Sequence, residues 1–213
     1  MKEAEEKLKA VCITHTAFKD GYPVAPLHWH IADKDQSLAL ECTKDGMHLY
    51  ENPVGVLTNN PPFPFQLTNL QNYMHLTSDP PENRFAPALK LTPYGQGMGA
   101  LGLPGDASPA SRFVRAAFCK WNSELPSGEE ASVTQFFHIL DNVAMVAGTV
   151  RTPENKLDRT TYSCCINATR GIYYYKTYNN NQISAVFLSK HSFDRKFLTV
   201  YDTPKAQRIC YLS

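Results

Sequence analysis

The order in which the chain changes its periodicity limits its folds more than any single motif does: extended segments come first, then two amphipathic helices, then extended segments again. Four short runs read as strands, LHWHIAD (27–33), SLALECT (37–43), MHLYE (47–51) and VGVLT (54–58), with turn residues at 33–36 and 44–46. Connections this short predict an antiparallel meander. Ser108 and Pro109 then open a helix, serine as cap and proline in the first turn, with Phe113, Ala117 and Trp121 on one face. A second helix starts near Glu129 and Glu130, and its spacing predicts burial of Val133, Phe136, Phe137, Leu140 and Ala144. TTYSCCI (160–166), a turn at 167–171, IYYYKTY (172–178), an asparagine turn at 179–181 and ISAVFL (183–188) predict a second meander. Strands, helices and strands in that order predict an α+β fold, with sheets packed together and helices outside, rather than alternating βαβ units.

Two stretches fall outside this pattern. The first ten residues read as the tail of an amphipathic helix, with Ala4, Leu8 and Val11 at helical spacing, so the chain looks truncated at its start. Residues 59–105 hold eight prolines and no sustained period, which predicts a long functional loop. No repeat or linker interrupts the chain, and residues 1–213 are expected to form a single domain.

Composition narrows the function. With 213 residues and 43% hydrophobic content the chain can bury one sizeable core. Lys and Arg number 21 against 20 Asp and Glu, a net charge of +1, so no global field favours nucleic acid or an anionic membrane as partner. No apolar run approaches the roughly 18 residues that cross a bilayer, and the start is charged where a signal peptide would be apolar, so a soluble, cytoplasmic protein is expected. Six cysteines lie scattered without C-x-x-C spacing, which suits reduced thiols better than a disulfide framework or a zinc ribbon.

Asn59 stands at the end of VGVLT and directly before Asn60, Pro61 and Pro62, where an extended segment gives way to a loop. A carboxamide has two N–H donors, and one aimed at a reacting carbonyl stabilises the oxyanion that develops there; losing it costs on the order of 100- to 1000-fold in rate. The position also suits a plain Asx turn. Arg112 falls in the first turn of a helix, where the dipole disfavours a cation, and follows the glycine-rich run YGQGMGALGLPGD (94–106). It could hold a carboxylate, stabilise a thiolate, or pair with Asp106 at the surface. His28 and His30 share a strand face near Cys42 and His48, but no third ligand stands at recognisable spacing, so no metal is expected. The GQGMG run lacks the lysine and the spacing of a nucleotide fingerprint, and no cofactor is expected.

Taken together, LHWHIAD, VGVLTNNPPFPFQLTNLQNY (54–73), GMGALGLPGDASPASRFVRAAF (97–118), FFHILDNVAMVAGTVRT (136–152) and TYSCCINATRGIYYYKTYNNNQISAV (161–186) resemble the choloylglycine hydrolase family, and within it the bile salt hydrolases more than the penicillin V acylases. The likeness covers about the C-terminal two thirds of a family member. It implies an αββα sandwich of the N-terminal-nucleophile hydrolase type, N-terminal part missing. In such enzymes a cysteine at the mature N-terminus attacks an amide while its own α-amino group exchanges the proton. By motif, Asn59 matches the family's oxyanion-hole asparagine and Arg112 the arginine beside the nucleophile. Leu27, Phe18 and Tyr22 match the loop that meets the steroid. The implied substrates are glycine- or taurine-conjugated bile salts. The resemblance also implies a homo-oligomer, a tetramer, or a separate chain that supplies the first third. Family members begin Met-Cys, whereas here Met1 precedes Lys2. The expectation is therefore a chain with the oxyanion donor, one arginine and part of the substrate wall, inactive alone for want of the attacking sulfur.

Overall fold

Leu38, Ala39, Leu40 and Glu41 are buried in succession, so the strand that carries them is covered on both faces. It is the centre of a three-stranded antiparallel sheet, β1 (His28–Ala32), β2 (Ser37–Thr43) and β3 (Gly46–Glu51), paired in that order. The turns follow from their residues. Asp33 Oδ1 accepts the N–H groups of Asp35 and Gln36, both at 2.9 Å, and closes the first turn. Gly46, at φ +130°, closes the second. A computed structural model describes residues 1–188 and 196–212, and the chain divides into two units, Met1–Ser123 and Glu124–Ser213.

In the first unit the sheet's buried face meets Val54, Phe63, Phe113 and Ala117, with the Phe63 and Phe113 rings edge to face at 6.3 Å. VGVLT is not the fourth strand that its composition predicts, for residues 54–58 pair with no strand among the described residues. Asn52, 2% exposed, takes over that role with its side chain: Oδ1 accepts the Gly55 N–H at 2.8 Å and Nδ2 donates to the Val56 carbonyl at 3.0 Å. Gly55, at φ +65°, turns the chain there. The apolar content still goes inward, with Val54 in the core and Val56 and Leu57 packed on it.

The proline-rich stretch holds a helix that its sequence concealed, α2 (Phe63–Leu70). Pro62 stands at its cap and Pro64 in its first turn, where a missing N–H breaks nothing. Short 3₁₀ turns follow at Gln71–Tyr73 and Met98–Ala100. The excursion closes on itself where the Thr77 N–H donates to the Gly99 carbonyl at 3.0 Å. A Cβ on Gly99 would lie 2.1 Å from the Asp79 carbonyl oxygen, so that approach requires glycine. Including α1 (Lys2–Lys9), which buries none of its residues, the next helix is α3 (Pro109–Asn122), capped by the Ser108 side chain and burying Ser111, Phe113, Val114 and Ala117. Trp121 is not on that buried face: it is 65% exposed, and its indole N–H donates to the Val54 carbonyl at 3.1 Å.

The second unit begins with α4 (Glu129–Asp141) and a two-residue ribbon, β4 (Val150–Arg151) with β5 (Leu157–Asp158). A meander of β6 (Tyr162–Asn167), β7 (Ile172–Thr177) and β8 (Asn180–Phe187) follows. The last turn is tighter than the asparagine run suggests, since Asn180 already lies in β8, 2% exposed, with Oδ1 accepting the Arg208 N–H. Helix α4 buries less than its spacing predicts. Phe137 is buried, Phe136 is 45% exposed, and the helix ends at Asp141, leaving Ala144 exposed beyond it. One three-turn helix against a three-stranded sheet presents a narrow contact stripe, too narrow for two adjacent phenylalanines.

Candidate functional site

The first unit brings Asn59 and Arg112 together across 53 residues of sequence. Arg112 Nη2 donates to Asn59 Oδ1 at 2.8 Å, and its Nε donates to the Ala107 carbonyl at 3.0 Å. A guanidinium can only donate, so it fixes which end of the carboxamide faces it: the oxygen turns toward Arg112 and the NH₂ group toward the other side. Asn59 is exposed and Arg112 half-buried. The α3 terminus that carries Arg112 is held from below. The Ser111 hydroxyl donates to Asp106 Oδ2 at 2.5 Å and the Ser108 N–H to Oδ1 at 2.8 Å. The Ser108 and Ser111 hydroxyls, with the Ser108 N–H, hold the Asp106 carboxyl well below the usual carboxylate range. Asp106 thus serves the helix terminus, where a negative charge is favoured.

The 59–61 turn is tied down from α2. Gln66, 1% exposed, donates from Nε2 to the Pro61 carbonyl at 3.1 Å and the Asn59 carbonyl at 3.4 Å. Thr58 ties the preceding residue to α3 through the Pro109 carbonyl at 3.1 Å. Helix α2 in turn is gripped by Glu41, 2% exposed on β2, whose Oε2 accepts the Phe63 N–H at 2.8 Å and whose Oε1 lies 2.7 Å from His28 Nδ1. His28 is thereby committed to a carboxylate, and among the described residues no three His, Cys, Asp or Glu side chains are placed to share a metal ion.

Beside this turn lies a pocket of about 630 Å³, within the range of small-molecule sites. Asn60 and Pro62 line it together with His28, Trp29 and Glu41, and Phe18 and Leu27 add apolar lining. Of the three residues matched to a steroid-contacting loop, Phe18 and Leu27 line this pocket and Tyr22 does not; all three are exposed. The thiols of Cys119 and Cys165 are pushed up by burial, which leaves them poor nucleophiles at neutral pH. Glu41 and Gln66 escaped the sequence reading. The available signal was a polar residue in FPFQLTNL one turn after Phe63, on the face that the helix buries.

Comparison with known proteins places this geometry in a family. A family model described as linear amide C–N hydrolases, choloylglycine hydrolase family, matches residues 1–201. The chain is 44% identical over 201 residues to a bile salt hydrolase/transferase of Lactiplantibacillus plantarum, covering 94% of this chain and 62% of that one. It is 39% identical to a bile salt hydrolase/transferase of Clostridium perfringens, covering 100% of this chain and 65% of that one. It thus spans under two thirds of the length of these relatives. A crystal structure of a mutant conjugated bile acid hydrolase from Clostridium perfringens superposes with a TM-score of 0.87 at 38% identity, over 100% of this chain and 65% of that one. The penicillin V acylase of Agrobacterium tumefaciens shares the fold alone, with a TM-score of 0.63 at 18% identity over 89% of this chain and 51% of that one. The α+β fold of the N-terminal-nucleophile type expected from the sequence is the one these neighbours have, and the chain belongs to the choloylglycine hydrolase family of linear amide C–N hydrolases.

Proposed function

We propose that residues 1–213 are a portion of a bile salt hydrolase, supplying the oxyanion donor and part of the substrate wall for hydrolysis of glycine- or taurine-conjugated bile salts. Both units are read as parts of one family domain, since the family match runs through both. The single observation that carries the reading is the 2.8 Å bond from Arg112 to Asn59 Oδ1, which leaves the carboxamide NH₂ on the side away from Arg112 as a donor, next to Asn60 and Pro62, which line the pocket.

In this reading a cysteine from outside these residues attacks the amide carbon. A carbon–sulfur bond forms, the carbonyl π pair moves onto oxygen, and Asn59 Nδ2 donates to that oxygen. The tetrahedral species collapses, the amine of glycine or taurine leaves with a proton, and water then cleaves the thioester to free bile acid. Phe18 and Leu27 offer apolar surface to the steroid. Bile salts are taken as the substrate class from the relatives at 44% and 39% identity, both bile salt hydrolase/transferases.

The test is reconstitution. Residues 1–213 alone should release no glycine or taurine from glycocholate or taurocholate. Mixed with a chain bearing the relatives' N-terminal third and its terminal cysteine, they should release both, and Asn59→Ala should lower kcat on the order of 100- to 1000-fold. An assembled mixture that releases nothing, or an Asn59→Ala mixture as fast as the parent, overturns the proposal.

A further inference from the structure

Two buried polar side chains have no part in the chemistry above, yet both bear on the turn that carries Asn59. Glu41 sits on the central strand of the first sheet, 2% exposed, with one carboxylate oxygen on His28 and the other on the first N–H of α2. Gln66, one turn into that helix, places its amide nitrogen on the carbonyls of Asn59 and Pro61. Its own oxygen is buried and, among the described residues, without a hydrogen-bond partner. Folds rarely leave a buried acceptor empty, because it has given up water and received nothing. A leucine would fill the same space without that loss. The retained amide is explained by its nitrogen, which the 59–61 turn needs.

We propose that Glu41 and Gln66 are positioning residues for the Asn59 carboxamide: Glu41 fixes α2 on the sheet, Gln66 fixes the 59–61 backbone on α2, and Arg112 fixes the side-chain rotation. The inference rests on the oxyanion role proposed for Asn59. The three contacts act on different coordinates. Arg112 selects which end of the amide faces outward, while Gln66 and Glu41 set where in space that amide stands. An oxyanion donor works through a fixed position, and an amide displaced by a fraction of an ångström loses much of its effect.

The test reads Asn59 directly, by the side-chain ¹⁵N–¹H signal and order parameter of the full chain, with Tm as the measure of folding. Gln66→Leu and Glu41→Ala should displace the Asn59 NH₂ signal and lower its order parameter. Glu41→Gln should restore both, since its oxygen can accept the Phe63 N–H and its amide can donate to His28. The control is Leu38→Ala, which creates a cavity on the same strand but on the face opposite Glu41; it should lower Tm and leave the Asn59 signal in place. An Asn59 signal unmoved by Gln66→Leu and Glu41→Ala, or moved equally by Leu38→Ala, overturns the inference. In the reconstituted mixture Gln66→Leu should cut kcat about tenfold with KM unchanged. If the parent mixture hydrolyses nothing, the proposed function fails while the Asn59 signals still decide the positioning.

Discussion

In Met1–Ser123 four polar side chains, Glu41, Asn52, Gln66 and Ser111, lie buried beside a core of phenylalanines and small aliphatic residues, whereas in the described part of Glu124–Ser213 Asn180 alone does. The second unit holds its helix through a clasp nearer the surface. There Glu129, the first residue of α4, accepts from Asn167, Arg170 and Tyr174, and Lys176 reaches Asp141 at the other end. The two halves solve the same problem, docking helices on a three-stranded meander, by different means. Buried polar groups carry a desolvation penalty and are tolerated where geometry has to be fixed. In the first unit each of them holds a segment that leads to the 59–61 turn or to the α3 terminus. The contrast therefore marks the first unit as the one whose local geometry is fixed by buried polar contacts, which supports the site proposed there.

The largest effect that bears on this contrast should come from its hydrophobic half. Phe113 is fully buried, edge to face with Phe63, and Phe113→Ala should destabilise the protein by about 3–5 kcal/mol in denaturant unfolding. A loss below about 1 kcal/mol would mean that the aromatic cluster is not the core of its unit. Asn52→Ala comes next. It strands the Val56 carbonyl and leaves the Gly55 N–H only the Asn52 backbone carbonyl at 3.2 Å, and a cost of about 1–3 kcal/mol is expected, with faster hydrogen exchange at Gly55 as its local mark. If exchange at Gly55 does not change, the polar side chain is not what replaces strand pairing there.

The same contrast explains what could be read from the sequence. Both meanders and the α3 cap were legible because alternation, turn residues and a Ser-Pro start are local signals. VGVLT misled because its pairing partner is a side chain, Asn52, and no periodicity records that. Helix α2 was hidden by prolines that read as breakers but stand where a helix begins. Asn59 and Arg112 could each be nominated from position, yet their mutual bond spans 53 residues and exists only in three dimensions. Phe18 and Leu27 came from resemblance alone, and their shared pocket depends on how an irregular segment lies against β1 and β2. Glu41 and Gln66 were missed because burial of a polar group is a tertiary fact.

The smallest effect tests the other side of the contrast, the surface clasp. The Tyr174 hydroxyl, with Asn167 and Arg170, holds the Glu129 carboxyl below its ordinary value of 4.5. Because the folded value is the lower one, the clasp stabilises the fold fully above pH 4.5, and its contribution is lost as pH falls through the folded value. Its position at the α4 start adds a favourable interaction with the helix dipole in the same pH range. Glu129→Gln should therefore lower Tm by a few degrees at most near pH 7, and the difference from the parent should shrink toward zero in acid as the parent's carboxylate is protonated. A Tm difference that stays constant down to acid pH would show that shape, not charge, makes the clasp, and the second unit would then hold its helix by the same kind of fixed polar packing as the first.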